Sequence, residues 1–280
     1  MLKNYHMKII FSDDYLHYKK IFTRIISNFK NDGILIGSGK RNVIKHHVVK
    51  GENINFKSFK KPNPINSIVY RYFRKSKARR SFEYANLLIS KNFNTPQPIA
   101  FVEYNNFFCL TSSYYICEHL LDVFTLREVY KNPYFVDREI IIRDYVNLIY
   151  QLHEDGIEFI DNTSANFLIR KEANEYKFFL VDLNRMNFYT NIKTNKRLKN
   201  LSKTTNDLTI IKIIGDEYSR LTSLPVEYCI DKLIIYSTKN QFKRNLKNKL
   251  KFYKFLKLNK PVYYKNRSIG SKKWTNLGQN

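Results

Sequence analysis

The sequence predicts a two-lobed α+β fold, with a small β-rich N-terminal lobe carrying one helix and a larger, mainly α-helical C-terminal lobe. Three observations lead there. Residues 33–60 read as short strands joined by tight turns. A helix-spaced segment and a hairpin follow, at 74–91 and 99–115. After Glu118 the apolar period turns helical and stays so, except for one strand pair. The expected division is 1–117 and 118–280, with a hinge at Tyr115-Ile116-Cys117-Glu118.

The strands of the first stretch are Gly33 to Gly37, Asn42 to Lys45, His47 to Val49 and Ile54 to Phe59. The last alternates apolar and polar residues, as a half-buried strand does, and Lys61-Pro62-Asn63-Pro64 ends it. Ala78, Phe82, Ala85 and Leu88 fall at helical spacing within 74–91. Thr95-Pro96-Gln97-Pro98 breaks the chain before a hairpin around Asn105-Asn106. Arg138 to His153 carries Ile141, Tyr145, Leu148, Ile149 and Leu152 on one helical face and stops before Gly156. Phe167 to Arg170 and Phe178 to Asp182 are strands joined by a turn at 172–175, and helices fill the rest.

With 280 residues and 43% hydrophobic content, the chain has enough apolar mass for a sizeable core, which excludes a disordered protein. No leader-like or membrane-spanning apolar run is visible, so the sequence predicts a cytoplasmic protein. Cys109, Cys117 and Cys229 have no metal-ligand spacing and read as reduced thiols. Lys and Arg number 49 against 24 Asp and Glu, a net charge of +25. That balance asks for a polyanionic partner: nucleic acid, an anionic membrane face or a phosphorylated substrate.

The chemistry concentrates in two short segments. Phe159-Ile160-Asp161-Asn162-Thr163-Ser164-Ala165-Asn166 places Asp161 and Asn166 in D-x-x-x-x-N spacing, between a long helix and a strand. Phosphoryl transfer needs a carboxylate facing the attacking hydroxyl and an oxygen ligand for Mg²⁺ nearby, and one such loop supplies both. Phe179-Leu180-Val181-Asp182 then ends a strand on an acid, which reads as a second Mg²⁺ ligand. Upstream, Lys57 in the alternating strand and Glu83 in the next helix form a candidate phosphate-anchoring pair. Lys60 and Lys61 are rivals, but they sit at the turn. Glu83 is the only acid between Asn53 and Asn94. Gly37 and Gly39 frame a turn whose backbone amides suit phosphates; it is not a Walker A loop.

In that order the chain resembles the lipopolysaccharide kinase (Kdo/WaaP) family of the protein-kinase-like superfamily. Residues 56–100 are similar to members from Bacteroidetes-type bacteria. The resemblance rests on Lys57-Ser58-Phe59-Lys60-Lys61-Pro62-Asn63, Arg74-Lys75-Ser76-Lys77-Ala78, Ser81-Phe82-Glu83-Tyr84-Ala85 and Thr95-Pro96-Gln97-Pro98, with Asp182-Leu183-Asn184-Arg185 later. It implies ATP and Mg²⁺ as cofactors and a lipopolysaccharide or Kdo-bearing lipid A acceptor. Carried over by position, it implies Asp161 as catalytic base, Asn166 and Asp182 on the metal, and Lys57 with Glu83 on the phosphates. Phe159 departs from the family, which usually has histidine there; that histidine braces the loop and is not the base.

Residues 239–273 hold thirteen lysines and arginines interleaved with Phe242, Leu246, Leu250, Phe252, Tyr253, Phe255 and Leu256. Part of this reads as a basic amphipathic helix, suited to peripheral contact with an anionic inner membrane face. Two other readings fit the composition: a kinase-like enzyme acting on a protein or other small acceptor, and a basic nucleic-acid-binding protein. No nucleic-acid recognition motif is present, and none would place five kinase-type residues in order, so a nucleic-acid partner is not expected.

Overall fold

The computed structural model describes residues 6–37, 39, 42–173 and 175–258, with side chains up to residue 250. β1 (His6–Phe11) leads through a 3-10 turn over Asp13–Tyr18 into α1 (Lys19–Ser27). There follow β2 (Ile34–Ile36), β3 (Asn42–Val49), β4 (Glu52–Phe59), α2 (Pro64–Tyr72), α3 (Lys77–Ser90), β5 (Pro98–Asn105) and β6 (Leu110–Glu118). These strands form one antiparallel sheet in the order β1-β5-β6-β4-β3-β2.

The two faces of the sheet have different work. Phe22, Ile25 and Ile26 of α1 cluster with Ile54, Phe56, Ala100, Val102 and Ile116 on one face. Phe59, Phe101 and Tyr115 belong instead to the cluster of Ala78, Ala85 and Leu88 of α3, which continues into the C-terminal helices. Strand alternation makes this split, because successive side chains leave a pleated strand on opposite faces. It sends Lys57 to the second face, away from α1.

Several elements differ from the sequence reading. β1 and α1 are not foreseen. The two expected strands at 42–49 are one, since their polar residues Lys45, His46 and His47 fit the pleat. The helix expected over 74–91 starts at Lys77, where the Ser76 hydroxyl accepts from the Arg79 amide. A separate helix, α2, precedes it. Asn63 caps that helix, with Pro64 in its first turn, so the Pro-Asn-Pro that ends β4 also starts a helix. The hinge expected at 115–118 is the end of β6, and the chain leaves the sheet at His119.

Past the sheet come β7 (Phe124–Thr125), α4 (Leu126–Lys131), α5 (Arg138–Glu154), β8 (Ile157–Phe159), a 3-10 turn at Ser164–Asn166, β9 (Phe167–Glu172), β10 (Glu175–Leu180) and β11 (Met186–Phe188). Then α6 (Thr194–Leu201), α7 (Leu208–Thr222) and α8 (Val226–Leu258) complete the described chain. Gly156, expected to stop α5, has φ of +72°, and an added Cβ would run into the Tyr189 carbonyl oxygen. Only glycine fits there. The pairing it permits is the one that matters: β8 runs antiparallel to β11, with Met186 opposite Phe159. From Gln241 the chain is a separate unit, of which the helix to Leu258 is described and the side chains of 241–250 are exposed. The basic residues expected at Lys251 and beyond have side chains outside the described residues.

Candidate active site

Asn55 and Lys57, on the second face of the sheet, line a cleft of about 720 Å³ together with Ser81, Asn166, Asp182 and Leu183. The Lys57 ammonium stands 2.5 Å from Asp182 Oδ1, with its side chain only 12% exposed. Asn184 Nδ2 donates to the same oxygen at 2.8 Å. Asp182 has φ of +61°, in the left-handed region that aspartate tolerates better than most residues. That turn ends the extended line begun by β10 and leaves the carboxylate in the cleft.

The β8–β11 pairing carries the chain before Asp161 alongside the chain after Asp182, and the Ile160 amide donates to the Arg185 carbonyl at 3.2 Å. Asn166 Nδ2 donates to the Asp161 carbonyl at 2.8 Å, which leaves Oδ1 as its other end. The Asn166 carbonyl in turn accepts from the Val181 amide at 3.0 Å. Arg185 donates to Asp161 Oδ1 at 2.9 Å. Burial pushes the Asp161 carboxyl above its ordinary pKa; Arg185 opposes this, and Asp182 adds to it. Lys203 donates to the Ile160 carbonyl at 3.0 Å, and burial pushes its pKa down.

The structure therefore brings Lys57, Asn166 and Asp182 together in one cleft, with Asp161 bonded to the same loop. It does not bring Glu83 to Lys57. Glu83 accepts from Lys75 and from Arg79, each at 2.8 Å. The reason is helical phase. The α3 residue that lines the cleft is Ser81, and a residue two positions on lies about 200° around the helix. A lone acid between distant residues is visible in a sequence, whereas the face it occupies depends on where the helix docks. A half-buried, solvent-screened three-membered ion cluster of this kind is worth about 1 kcal/mol per pair. Glu83→Gln is accordingly expected to change Mg·ATP affinity by less than about fivefold in calorimetric titration. A loss of two powers of ten would instead show that Glu83 reaches Lys57 once nucleotide binds.

Gly37 and Gly39 line the same cleft with φ of +74° and +61°. A Cβ added at Gly37 meets nothing within 4 Å, so the backbone conformation, and not space, calls for glycine. Ser38, Lys40 and Arg41 of this turn lie outside the described residues. Among the described residues no three His, Cys, Asp or Glu side chains converge on a metal position. The oxygen donors available are Asp182 and Asn166, hard ligands of the kind Mg²⁺ takes when substrate phosphates and water complete its shell. Ser81 lines the cleft, and its Oγ is buried without a hydrogen-bond partner. These residues fit a nucleotide with Mg²⁺. Cys117 also lines the cleft, but burial pushes its thiol up to about 12, which leaves it inert.

Behind the loop lies a buried amide network that the sequence reading does not contain. Asn162 Oδ1 accepts from Tyr145 Oη at 2.8 Å, and its Nδ2 donates to the Asn200 carbonyl at 3.1 Å. Asn200 Nδ2 donates to the Phe159 carbonyl at 2.8 Å, and Asn200 Oδ1 pairs with His153 Nε2 at 3.2 Å. The Phe159 ring is 1% exposed and meets Phe167 edge-on at 5.7 Å. The loop is thus braced by an apolar ring and by Asn200 on its backbone, without a histidine at 159. Nothing in Leu198-Lys199-Asn200-Leu201 marks Asn200 in a sequence.

The chain is similar to solved structures. A solved structure described as WaaP in complex with acyl carrier protein matches at a TM-score of 0.58 and 13% identity, over 84% of this chain and 98% of that one. The Rio2 kinase–ADP/Mg²⁺–phosphoaspartate complex from Chaetomium thermophilum matches at a TM-score of 0.46 and 14% identity, over 81% of this chain and 76% of that one. No curated protein matches. The likeness to WaaP establishes the protein-kinase-like fold, with its β-rich N-terminal sheet and helical C-terminal part. The model of the lipopolysaccharide kinase (Kdo/WaaP) family matches residues 51–224, a span that holds the Lys57–Asp182 pair, Asp161 and Asn166, and this chain belongs to that family.

Proposed function

We propose that this chain is an ATP- and Mg²⁺-dependent kinase that phosphorylates a sugar hydroxyl, on Kdo or heptose, of the lipopolysaccharide inner core. The observation that carries the reading is the Lys57–Asp182 ion pair beside Asn166, in a cleft next to the Arg185-bound Asp161. Residues up to 117 form the lobe that covers the nucleotide, and those from 118 to 240 form the lobe that holds metal and acceptor, with the unit from Gln241 left out of the expected second lobe. Lys57 and the amides near Gly37 and Gly39 hold phosphates. Asp182 and Asn166 would hold Mg²⁺, which supplies neutralisation of phosphate charge when bound. Asp161 accepts the hydrogen bond of the acceptor hydroxyl and orients it. Its raised pKa makes it a stronger base than an ordinary carboxylate.

Arg185 tunes that base. Removing its charge removes a downward push on Asp161, so Arg185→Gln is expected to move the acid limb of the kcat/KM profile to higher pH. An unmoved limb would assign the titration to another group.

The same proposal places the enzyme in the cytoplasm, in peripheral contact with an anionic membrane face. Two features support this contact. Phe73, Phe107 and Phe108 are exposed near the exposed Arg71 and Arg74, and Tyr72 Oη ties the two segments through the Phe107 carbonyl at 2.6 Å. Separately, α8 exposes Phe242, Leu246 and Leu250 among Lys243, Arg244 and Lys247. Among the described residues no helix is long and apolar enough to cross a membrane. Sedimentation with anionic vesicles at low salt is the check, and a protein that stays in the supernatant removes this part of the proposal.

The experiment for the activity is transfer of labelled phosphate from ATP with Mg²⁺ to a Kdo-bearing lipid A acceptor. Incorporation supports the whole reading. Mg·ATP binding without incorporation redirects the search to another acceptor, and no nucleotide binding overturns it.

A further inference from the structure

Arg80 is a buried cation without a counter-charge. The residue is 7% exposed, its Nε has no hydrogen-bond partner, and it forms no ion pair among the described residues. Two other buried charges show the usual provision. Glu217 accepts from Arg143, Arg220 and Asn147, and Lys45 donates to the carbonyls of Lys30 and Asp32. A buried lysine could shed its proton, but a guanidinium stays charged under all ordinary conditions. An interior charge of that kind is costly unless something pairs with it.

Its surroundings sharpen the point. The neighbouring charged side chains are Arg74 and Arg185, with Tyr70 and Tyr84 beside them. Both arginines repel it. Its place in the fold is equally specific. Tyr84, one turn further along α3, stacks against Phe188 of β11 with ring centroids 5.3 Å apart. This face of α3 therefore meets the segment that carries Arg185, the residue bonded to Asp161. The next residue, Ser81, lines the cleft beside Asp182. Arg80 shares this face with Tyr84 and precedes the cleft residue Ser81.

We infer that Arg80, with Arg185 and Arg74, forms an anion subsite for a carboxylate or phosphate ester on the acceptor, close to the hydroxyl that reacts. The planar guanidinium suits either anion, through paired N–H donors. Lys57, Gly37 and Gly39 line the cleft and Arg80 does not, so a second anion held by Arg80 belongs to the other substrate. The word acceptor rests on the proposed function; the anion subsite stands without it.

The test is thermal unfolding of the full chain in chloride, in inorganic phosphate, in free Kdo as a sugar-acid carboxylate, and in Mg·ATP. Wild type is expected to gain stability with phosphate or Kdo, and the larger gain identifies the anion. Arg80→Met is expected to unfold at a higher temperature than wild type in chloride, because an unpaired buried charge is gone. It should bind the favoured anion at least about tenfold more weakly and keep the Mg·ATP gain. Arg80→Lys should retain part of the anion gain, and serves if Arg80→Met fails to fold. The inference is overturned if neither anion stabilises wild type, or if Arg80→Met is less stable in chloride with its anion gain intact. It is also overturned if the Mg·ATP gain disappears with the anion gain, since Arg80 would then serve the nucleotide. An anion gain without any Mg·ATP gain would count against the kinase reading and leave the subsite standing.

Discussion

Asp161→Asn is expected to lower kcat by about 10²–10⁴-fold, the contribution that a positioned general base supplies. Asparagine keeps an oxygen for Arg185, so the loop geometry and the Mg·ATP affinity should stay near wild type, and the loss should fall on kcat. Stability should move the other way. Burial raises the Asp161 pKa above its unfolded value, so the folded protein holds that proton more tightly than the unfolded chain does. The carboxyl therefore contributes stability at low pH, and that contribution is lost as pH rises through the raised pKa. Removing the charge at pH 7 should raise the unfolding midpoint. An inactive but more stable variant is the mark of a strained functional group, and few structural residues would give both signs at once. A variant that keeps activity within tenfold would mean that another group orients the hydroxyl. One that loses both activity and stability would make Asp161 a scaffold residue.

The legible part of this molecule was the part written in local pattern. The alternation from Ile54 to Phe59 declares β4 and even the face that Lys57 takes, because a two-residue period fixes both. Asp161 and Asn166 share one short loop, so their spacing alone predicts that they meet. Asp182 follows from the strand that ends at Leu180. What was not legible depends on docking. β1 is a six-residue run that becomes a strand only beside β5, much further along the chain. Glu83 is conspicuous as a lone acid, yet the phase of α3 gives the cleft Ser81. Asn200 and Arg80 carry no motif at all. Each matters because of what burial does to a polar group, and burial is a property of the assembled fold. The Asn63-Pro64 start of α2 is the one omission that local rules could have supplied, since a cap residue followed by proline marks a helix start as readily as a strand end.

Asn200→Leu should be the most damaging substitution outside the cleft. Leucine keeps the bulk but removes the donor to the Phe159 carbonyl and the acceptor shared by Asn162 and His153. Leaving buried polar groups unpaired costs about 1–3 kcal/mol for each, so a total of roughly 3–5 kcal/mol is expected. For a chain of this size that corresponds to a midpoint lower by about 10 °C. Activity should fall further than the unfolded fraction explains, because Asn200 holds the backbone two residues before Asp161. His153 adds a pH signature. Its Nε2 pairs with Asn200 Oδ1, and burial pushes its pKa down to about 4. A base whose folded pKa lies below its unfolded value contributes in full above the unfolded pKa of about 6.5 and is lost as pH falls toward 4. Wild type should therefore lose on the order of 3 kcal/mol across that window. Asn200 itself holds the His153 pKa up, so Asn200→Leu should push it lower still and deepen the loss on the acid side. Denaturant titrations of both proteins at pH 7, near pH 4 and near pH 3 measure this directly, the extra loss in Asn200→Leu falling between the last two. An Asn200→Leu protein with wild-type stability and activity would show that the apolar packing of Phe159 on Phe167 holds the loop without the amides.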